Sequence, residues 1–323
     1  MSTPIRLGTR ASLLATTQSR WVGDRLARAL DREVALVEIS THGDRDPQPL
    51  AQLGGTGVFV SALREALLDG RIDVAVHSLK DLPTAPSPGV AIAAVPARED
   101  PRDVVVARDG LTLGELPVGS RVGTGSPRRA AQLHALGLGL EITGIRGNVD
   151  TRISKVREGT YDAVVLARAG LARLGRLDEA TEILDPLQML PAPGQGALAV
   201  ETREGDDLAG DVAILDDARS RAAVTAERAV LATLEGGCAA PIGALAEVVE
   251  GEEGEELWVR ATALSPDGAL AVRMSATGDP ADAAGVGHRL AEQMLAEGAG
   301  HLTENQPPTP HEQPVTDCER QDA

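Results

Sequence analysis

Aromatic side chains are nearly missing from this sequence: two tryptophans, one tyrosine and one phenylalanine in 323 residues. Its cores must therefore be built from Val, Leu, Ile and Ala, and a 42% hydrophobic content is enough to build them. Cysteine is as scarce. Cys238 and Cys318 make no disulfide framework. No run approaches the ~20 apolar residues of a membrane-spanning helix. The opening "MSTPIRLGTR" enters a strand pattern directly and lacks the charged-then-apolar layout of a secretory signal. Both absences point to a cytoplasmic protein. There is no zinc, Walker or dinucleotide motif, and His42 has no partner at a metal-ligand spacing, so no metal is expected. Lysine is the last scarcity: Lys80 and Lys155 are the only two among 31 cationic residues. With 48 acidic residues the net charge is −17, which argues against non-specific binding to nucleic acid or anionic membranes. Acidic excess with so little lysine fits a protein kept soluble in concentrated salt.

What is present is organised. The length predicts two or three domains. "PIRLGT", "EVALVEIS", "IDVAVHSL" and "VAIAAVP" read as strands, with helices over Ala11–Leu30 and "VFVSALREALLDG" between them. The alternation repeats through "DVVVAR", "RVGTGS", a helix near Pro127–Leu136, "LEITGI", a helix from Asn148, and "YDAVVLA". Such alternation predicts parallel, doubly wound α/β sheets, here two with a cleft between them. The proline- and glycine-rich "ILDPLQMLPAPGQGALAVETR" reads as a connection running back between them. A helix over Asp216–Leu234, three alternating strands and a helix near 280–297 predict a small third α/β domain with an antiparallel sheet. The expected division is 1–97 with 197–213, then 101–192, then 216–300, with 301–323 a disordered tail.

The arginines are placed, not scattered. Arg10 follows the first strand; Arg128 and Arg129 open a helix after the glycine-rich turn "GTGSP"; Arg146 and Arg152 bracket "GNVDT"; Arg173 follows "RAGLA". Any one alone reads as a solvated surface charge. Together they recur at the strand-to-helix turns that line a cleft in wound sheets, as a multiply anionic ligand requires. Lys80 and Asp81 in "AVHSLKDLP" lie at the carboxyl end of a strand, where a surface ion pair is the plainer reading. His77 and Ser78 read as local hydrogen-bonders. Cys238, in "LEGGCAAPIG", follows the negative end of a predicted helix, which disfavours a thiolate. It reads either as small apolar filler or as an attachment point for a strong electrophile.

These stretches resemble the porphobilinogen deaminase (hydroxymethylbilane synthase) family. The resemblance rests on "GTRASLLATTQ", "GGTGVFV", "AVHSLKDLPT", "VGTGSPRRAAQL", "IRGNVDTRI", "YDAVVLARAGLARLG", "PAPGQGALA" and "LEGGCAAPIG", in family order to about residue 300. It implies two wound domains like those of bilobal solute-binding proteins and stepwise condensation of four porphobilinogens on a covalent dipyrromethane cofactor. It also implies a monomer with porphobilinogen as its small-molecule partner. Carried onto this sequence, it makes Asp81 the catalytic carboxylate and Cys238 the thioether anchor. Lys80, Ser126, Arg128, Arg129 and Arg152 become cofactor ligands, and Arg10, Ser12, Arg146, Arg173 and Gln195 substrate ligands. The sequence departs from the family at Gln52 and Thr56, where loop lysines are usual, at Gly125 and Pro127 in place of serine and leucine, and at Ala239. An anion-binding protein of the same bilobal shape, with no covalent group, remains the alternative.

Overall fold

In the computed structural model, residues 3–39, 57–234, 240–252 and 254–303 are described. The sequence features at His42, Gln52, Thr56, Cys238, Ala239 and Cys318 lie outside them. The first unit runs β1 (Ile5–Thr9), α1 (Leu13–Leu30), β2 (Val34–Glu38), α2 (Gly57–Leu68), β3 (Val74–Ser78) and β4 (Val90–Ala94). The second runs β5 (Asp103–Ala107), β6 (Arg121–Gly123), α3 (Pro127–Ala135), β7 (Glu141–Thr143), α4 (Val149–Arg157), β8 (Ala163–Ala167), α5 (Arg168–Arg173) and β9 (Glu182–Ile183). The chain then returns as β10 (Leu198–Arg203) and α6 (Leu208–Val212). A third unit comprises α7 (Ala218–Thr233), β11 (Ile242–Glu250), β12 (Glu255–Leu264), β13 (Ala271–Gly278), α8 (Ala283–Ala296) and α9 (Ala299–Thr303).

Helix starts follow the caps written in the sequence. Ser12, Ser126, Asn148 and Asp217 each accept a hydrogen bond from a backbone N–H of the first turn of their helix. Helix α9 reaches Thr303, so the first three residues of the stretch expected to be disordered are helical.

The two large sheets have matching strand orders, β2-β1-β3-β10-β4 and β7-β6-β8-β5-β9. Neither is wholly parallel, which corrects the sequence expectation. β1 pairs in parallel with β2 and β3, and β6 with β7 and β8. In each sheet the fourth strand runs antiparallel: β10 against β3 and β4, and β5 against β8 and β9. Those two strands are the ones delivered by the crossings between units, and a chain arriving from the neighbouring unit enters against the local strand direction. The apolar alternation that marks a strand carries no sign for its direction.

Val, Leu, Ile and Ala fill both faces of each large sheet, as the lack of aromatics requires. The third unit packs α7 and α8 on one antiparallel sheet, β11-β12-β13. Among the described residues no helix is long and apolar enough to cross a membrane.

The crossings touch. Glu99 N donates to Gly196 O at 3.3 Å, and a Cβ on Gly196 would stand 2.3 Å from Glu99 O. With φ at +87°, position 196 admits only glycine without a shift of the crossing. Fully buried Glu227 on α7 ties both crossings to the third unit. It accepts from Arg98 Nη1 and Nη2 at 2.6 and 2.9 Å, from Gly194 N at 2.6 Å and from Ala246 N at 2.8 Å.

Candidate active site

The candidate side chains sit at the carboxyl ends of the parallel strands and on the crossings between the wound sheets. β3 ends at Ser78, whose hydroxyl exchanges hydrogen bonds with the Gln18 amide of α1. The chain then turns through a single 3-10 turn, Leu79–Asp81. Leu79 is buried and its N–H donates to Ala197 O at 3.0 Å, which fixes the turn against the start of β10. From the third unit, Arg228 on α7 donates to Leu82 O at 3.1 Å and Pro83 O at 2.6 Å. Lys80 and Asp81 are thus carried by a turn braced from two sides. Lys80 Nζ donates to Gln195 Oε1 at 3.4 Å.

In the second unit the turn after β6 places Ser126 as the cap of α3. Its N–H donates to Thr124 Oγ1 at 3.2 Å, and Pro127 occupies the first helical position, where its missing N–H costs nothing. A Cβ on Gly125 would stand 2.9 Å from Ile145 O, so a serine here requires the backbone at Ile145 to shift. Arg128 and Arg129 follow, both buried.

From the sequence, Arg128 and Arg129 are expected to face a ligand. The structure adds a carboxylate between them. Asp103, the fully buried first residue of β5, accepts from Arg128 Nη2 at 2.8 Å through Oδ2. Through Oδ1 it accepts from Arg129 Nη2 at 2.7 Å and Nε at 3.1 Å, and from Gln195 Nε2 at 2.8 Å. Arg128 Nη1 also donates to Leu190 O at 2.5 Å, and Arg129 Nη1 to Val165 O at 3.0 Å. Two adjacent guanidiniums are not buried without an anion between them. Burial opposes ionisation of Asp103, but Arg128 and Arg129 outweigh it and hold the carboxyl far below the usual range.

Around this cluster, Arg152 lies on α4 with Nε donating to Gly147 O at 2.9 Å. Arg173 on α5 donates to Gly196 O at 2.6 Å, beside Gln195. Arg10 and Ser12 occupy the turn before α1, and exposed Arg146 the turn before α4. The side chain of Ser12 caps α1 at 3.4 Å and that of Ser126 caps α3 at 3.5 Å, so both hydroxyls have a structural task as well. His77 is buried with Nε2 3.2 Å from Glu201 Oε2 on β10.

Charge balance differs between some of these cations and several ion-paired arginines elsewhere. Hydrogen bonds to Asp73, Asp100, Asp162 and Glu179 raise the guanidinium pKa values of Arg6, Arg102, Arg108 and Arg176 above the ordinary. Arg128, Arg152 and Arg173 shift the other way, chiefly through burial, Arg173 to about 10. Burial also pulls Lys80 down to about 8, with Asp81 opposing and Arg129 and Arg128 adding to the shift. Arg128 is buried, and Lys80, Arg152 and Arg173 are half-buried, so desolvation of each cation exceeds what its neighbouring carboxylates return. They lie beside the two crossings, on the turn after β3 and on α3, α4 and α5.

Sequence profiles decide the family. The one described as "Porphobilinogen deaminase, dipyromethane cofactor binding domain" matches residues 5–211, and "Porphobilinogen deaminase, C-terminal domain" matches residues 221–296. The chain belongs to the porphobilinogen deaminase family. Relatives in that family include the porphobilinogen deaminase of Mycobacterium marinum, 60% identical over 304 residues that cover 92% of this chain and 96% of that protein. The Mycobacterium tuberculosis porphobilinogen deaminase is also 60% identical, over 92% of this chain and 98% of its own length. Among solved structures, a periplasmic substrate-binding protein of an ABC transporter from Coxiella burnetii aligns over 65% of this chain and 91% of its own, at TM-score 0.43 and 14% identity. That agreement is coarse, and the fold assignment rests instead on the sheet order and register given above.

Asp103 is the residue of this site that the sequence did not disclose. It reads there as the polar first position of an apolar strand, "DVVVAR". The available signal was the adjacent arginine pair, which once buried demands a counter-ion.

Proposed function

We propose that the chain is a hydroxymethylbilane synthase that joins four porphobilinogens head to tail, releases ammonia at each step, and frees the linear product with water. The observation that carries this reading is a linked cluster of cations in a porphobilinogen deaminase chain: Arg128 and Arg129 share Asp103, Gln195 joins that carboxylate to Lys80, and Arg173 donates to Gly196 O beside Gln195. Each pyrrole unit brings an acetate and a propionate, so the demand for cations grows with every addition.

A dipyrromethane fits this donor set. Its carboxylates suit Lys80, Ser126, Arg128, Arg129 and Arg152, and Arg128 Nε is buried with no hydrogen-bond partner among the described residues. When bound, the group supplies the pyrrole carbon to which the first unit is joined. Cys238 is its thioether anchor; a thiolate of low pKa is unnecessary when the electrophile is strong. Arg10, Ser12, Arg146, Arg173 and Gln195 receive the incoming substrate. Asp81 sets its carboxylate against the pyrrole N–H of porphobilinogen and stabilises the positive charge that develops on the ring as the amine leaves. In each step one carbon–nitrogen bond breaks, one carbon–carbon bond forms, and the displaced ring proton balances the departing ammonia.

The same reading divides the chain into 1–97 with 197–213, 101–192 and 216–300, followed by a tail. It makes the protein a cytoplasmic monomer without nucleic-acid or membrane partners. It also extends to concentrated salt. At ~1 M the Debye length is about 3 Å, so only touching charges attract, and the proposed ligand contacts are of that kind.

The test is Cys238→Ser. The purified variant should carry no adduct and convert no porphobilinogen; turnover at the native rate removes the anchor and with it the proposal.

A further inference from the structure

We propose that Asp103 is the positioning residue of this site, aiming Arg128, Arg129 and, through Gln195, Lys80 at the ligand. The inference rests on the functional reading above. Asp103 opens β5, directly after the first crossing, and is fully buried. Both of its oxygens are occupied by N–H donors from three side chains: Arg128, Arg129 and Gln195. Gln195 belongs to the second crossing. Its amide nitrogen is shared between Asp103 and Pro101 O at 2.7 Å, so its carbonyl oxygen is turned toward Lys80 Nζ. One carboxylate therefore fixes the orientation of two guanidiniums on α3 and the rotamer of an amide that holds a lysine of the first unit.

Charge alone points the other way. An internal anion competes with ligand carboxylates for the same arginines, so removing it adds one positive charge and should tighten anion binding. Geometry opposes this, because without Asp103 the neighbouring guanidiniums repel each other in a buried space. An asparagine there would turn an N–H₂ group toward at least one donor it now accepts from. The two effects have opposite signs, which makes the role measurable.

The experiment compares wild type, Asp103→Asn and Asp103→Glu for adduct occupancy by intact mass, KM for porphobilinogen and melting temperature. Positioning predicts that folded Asp103→Asn loses most of its adduct and that KM rises by about tenfold or more, the scale of one lost charge-assisted hydrogen bond. A merely structural role lowers the melting temperature and leaves occupancy and KM of the folded fraction alone. Unchanged or improved occupancy and KM in Asp103→Asn overturn the proposal. If Asp103→Asn does not fold, Asp103→Glu decides: it keeps the charge but displaces the carboxylate by one methylene, so a raised KM supports positioning and a native KM refutes it. An active wild type without adduct faults the anchor and not Asp103, whose role KM still reads.

Discussion

Lys80 is the residue whose chemistry is most exposed to pH. Burial brings its ammonium down to about 8 from an ordinary 10.5. Below about 8 it is charged and attracts a ligand carboxylate; above, it is neutral. The hold of the unloaded protein on the cofactor's carboxylates should therefore weaken as pH rises through 8, and the rate of adduct formation should decline there. Stability moves in the opposite sense. The unfolded lysine holds its proton up to 10.5, so the folded state is penalised below 8 and recovers between 8 and 10.5. We expect Lys80→Arg to move the alkaline decline in adduct formation beyond pH 10; a decline that stays at 8 would assign it to another group. Asp81→Ala should fold and still bind porphobilinogen while losing nearly all turnover, and robust activity in that variant would take Asp81 out of the chemistry. At this scale the sequence was legible where a residue announces itself by position. Arg128, Arg152 and Lys80 stand at turns that only a wound sheet brings together. Asp103 and Glu227 were hidden because a buried counter-ion looks, in one dimension, like any acid beside apolar residues.

Among the elements, α7 binds the assembly together. Through Glu227 it holds both crossings and β11, and through Arg228 it clamps the backbone just past Asp81. Glu227→Ala leaves the Arg98 guanidinium buried without its carboxylate and should cost about 3–5 kcal/mol, read as a fall in denaturant midpoint. A loss within about 0.5 kcal/mol would mean water replaces Glu227 freely. Helices were legible in the sequence from their apolar spacing, but the starts expected at Ala11 and Asp216 lie two residues early, because Ser12 and Asp217 cap the helices from outside. Strand direction was not. β5 and β10 carry the same apolar run as their parallel neighbours, and only the path of the crossing decides which way they point.

Taken whole, the molecule is strongly acidic, with a net charge of −17, yet gathers cations in one hinge region. Its long-range field repels the substrate, so binding depends on desolvated contacts that salt screens little. Turnover at 1 M salt should stay within a few-fold of that at 0.1 M, and collapse of activity would show that steering by unpaired charges matters more than contact. The third unit is joined to the two crossings by Glu227 of α7 and by Ala244 N donating to Pro191 O at 3.0 Å. Intact-mass spectrometry before and after adding porphobilinogen tests most directly whether a covalent primer stands among the guanidiniums. The purified chain should exceed its sequence mass by one dipyrromethane, carried on Cys238, and then climb in steps of one pyrrole unit. A protein that consumes porphobilinogen while remaining at its sequence mass would contradict it.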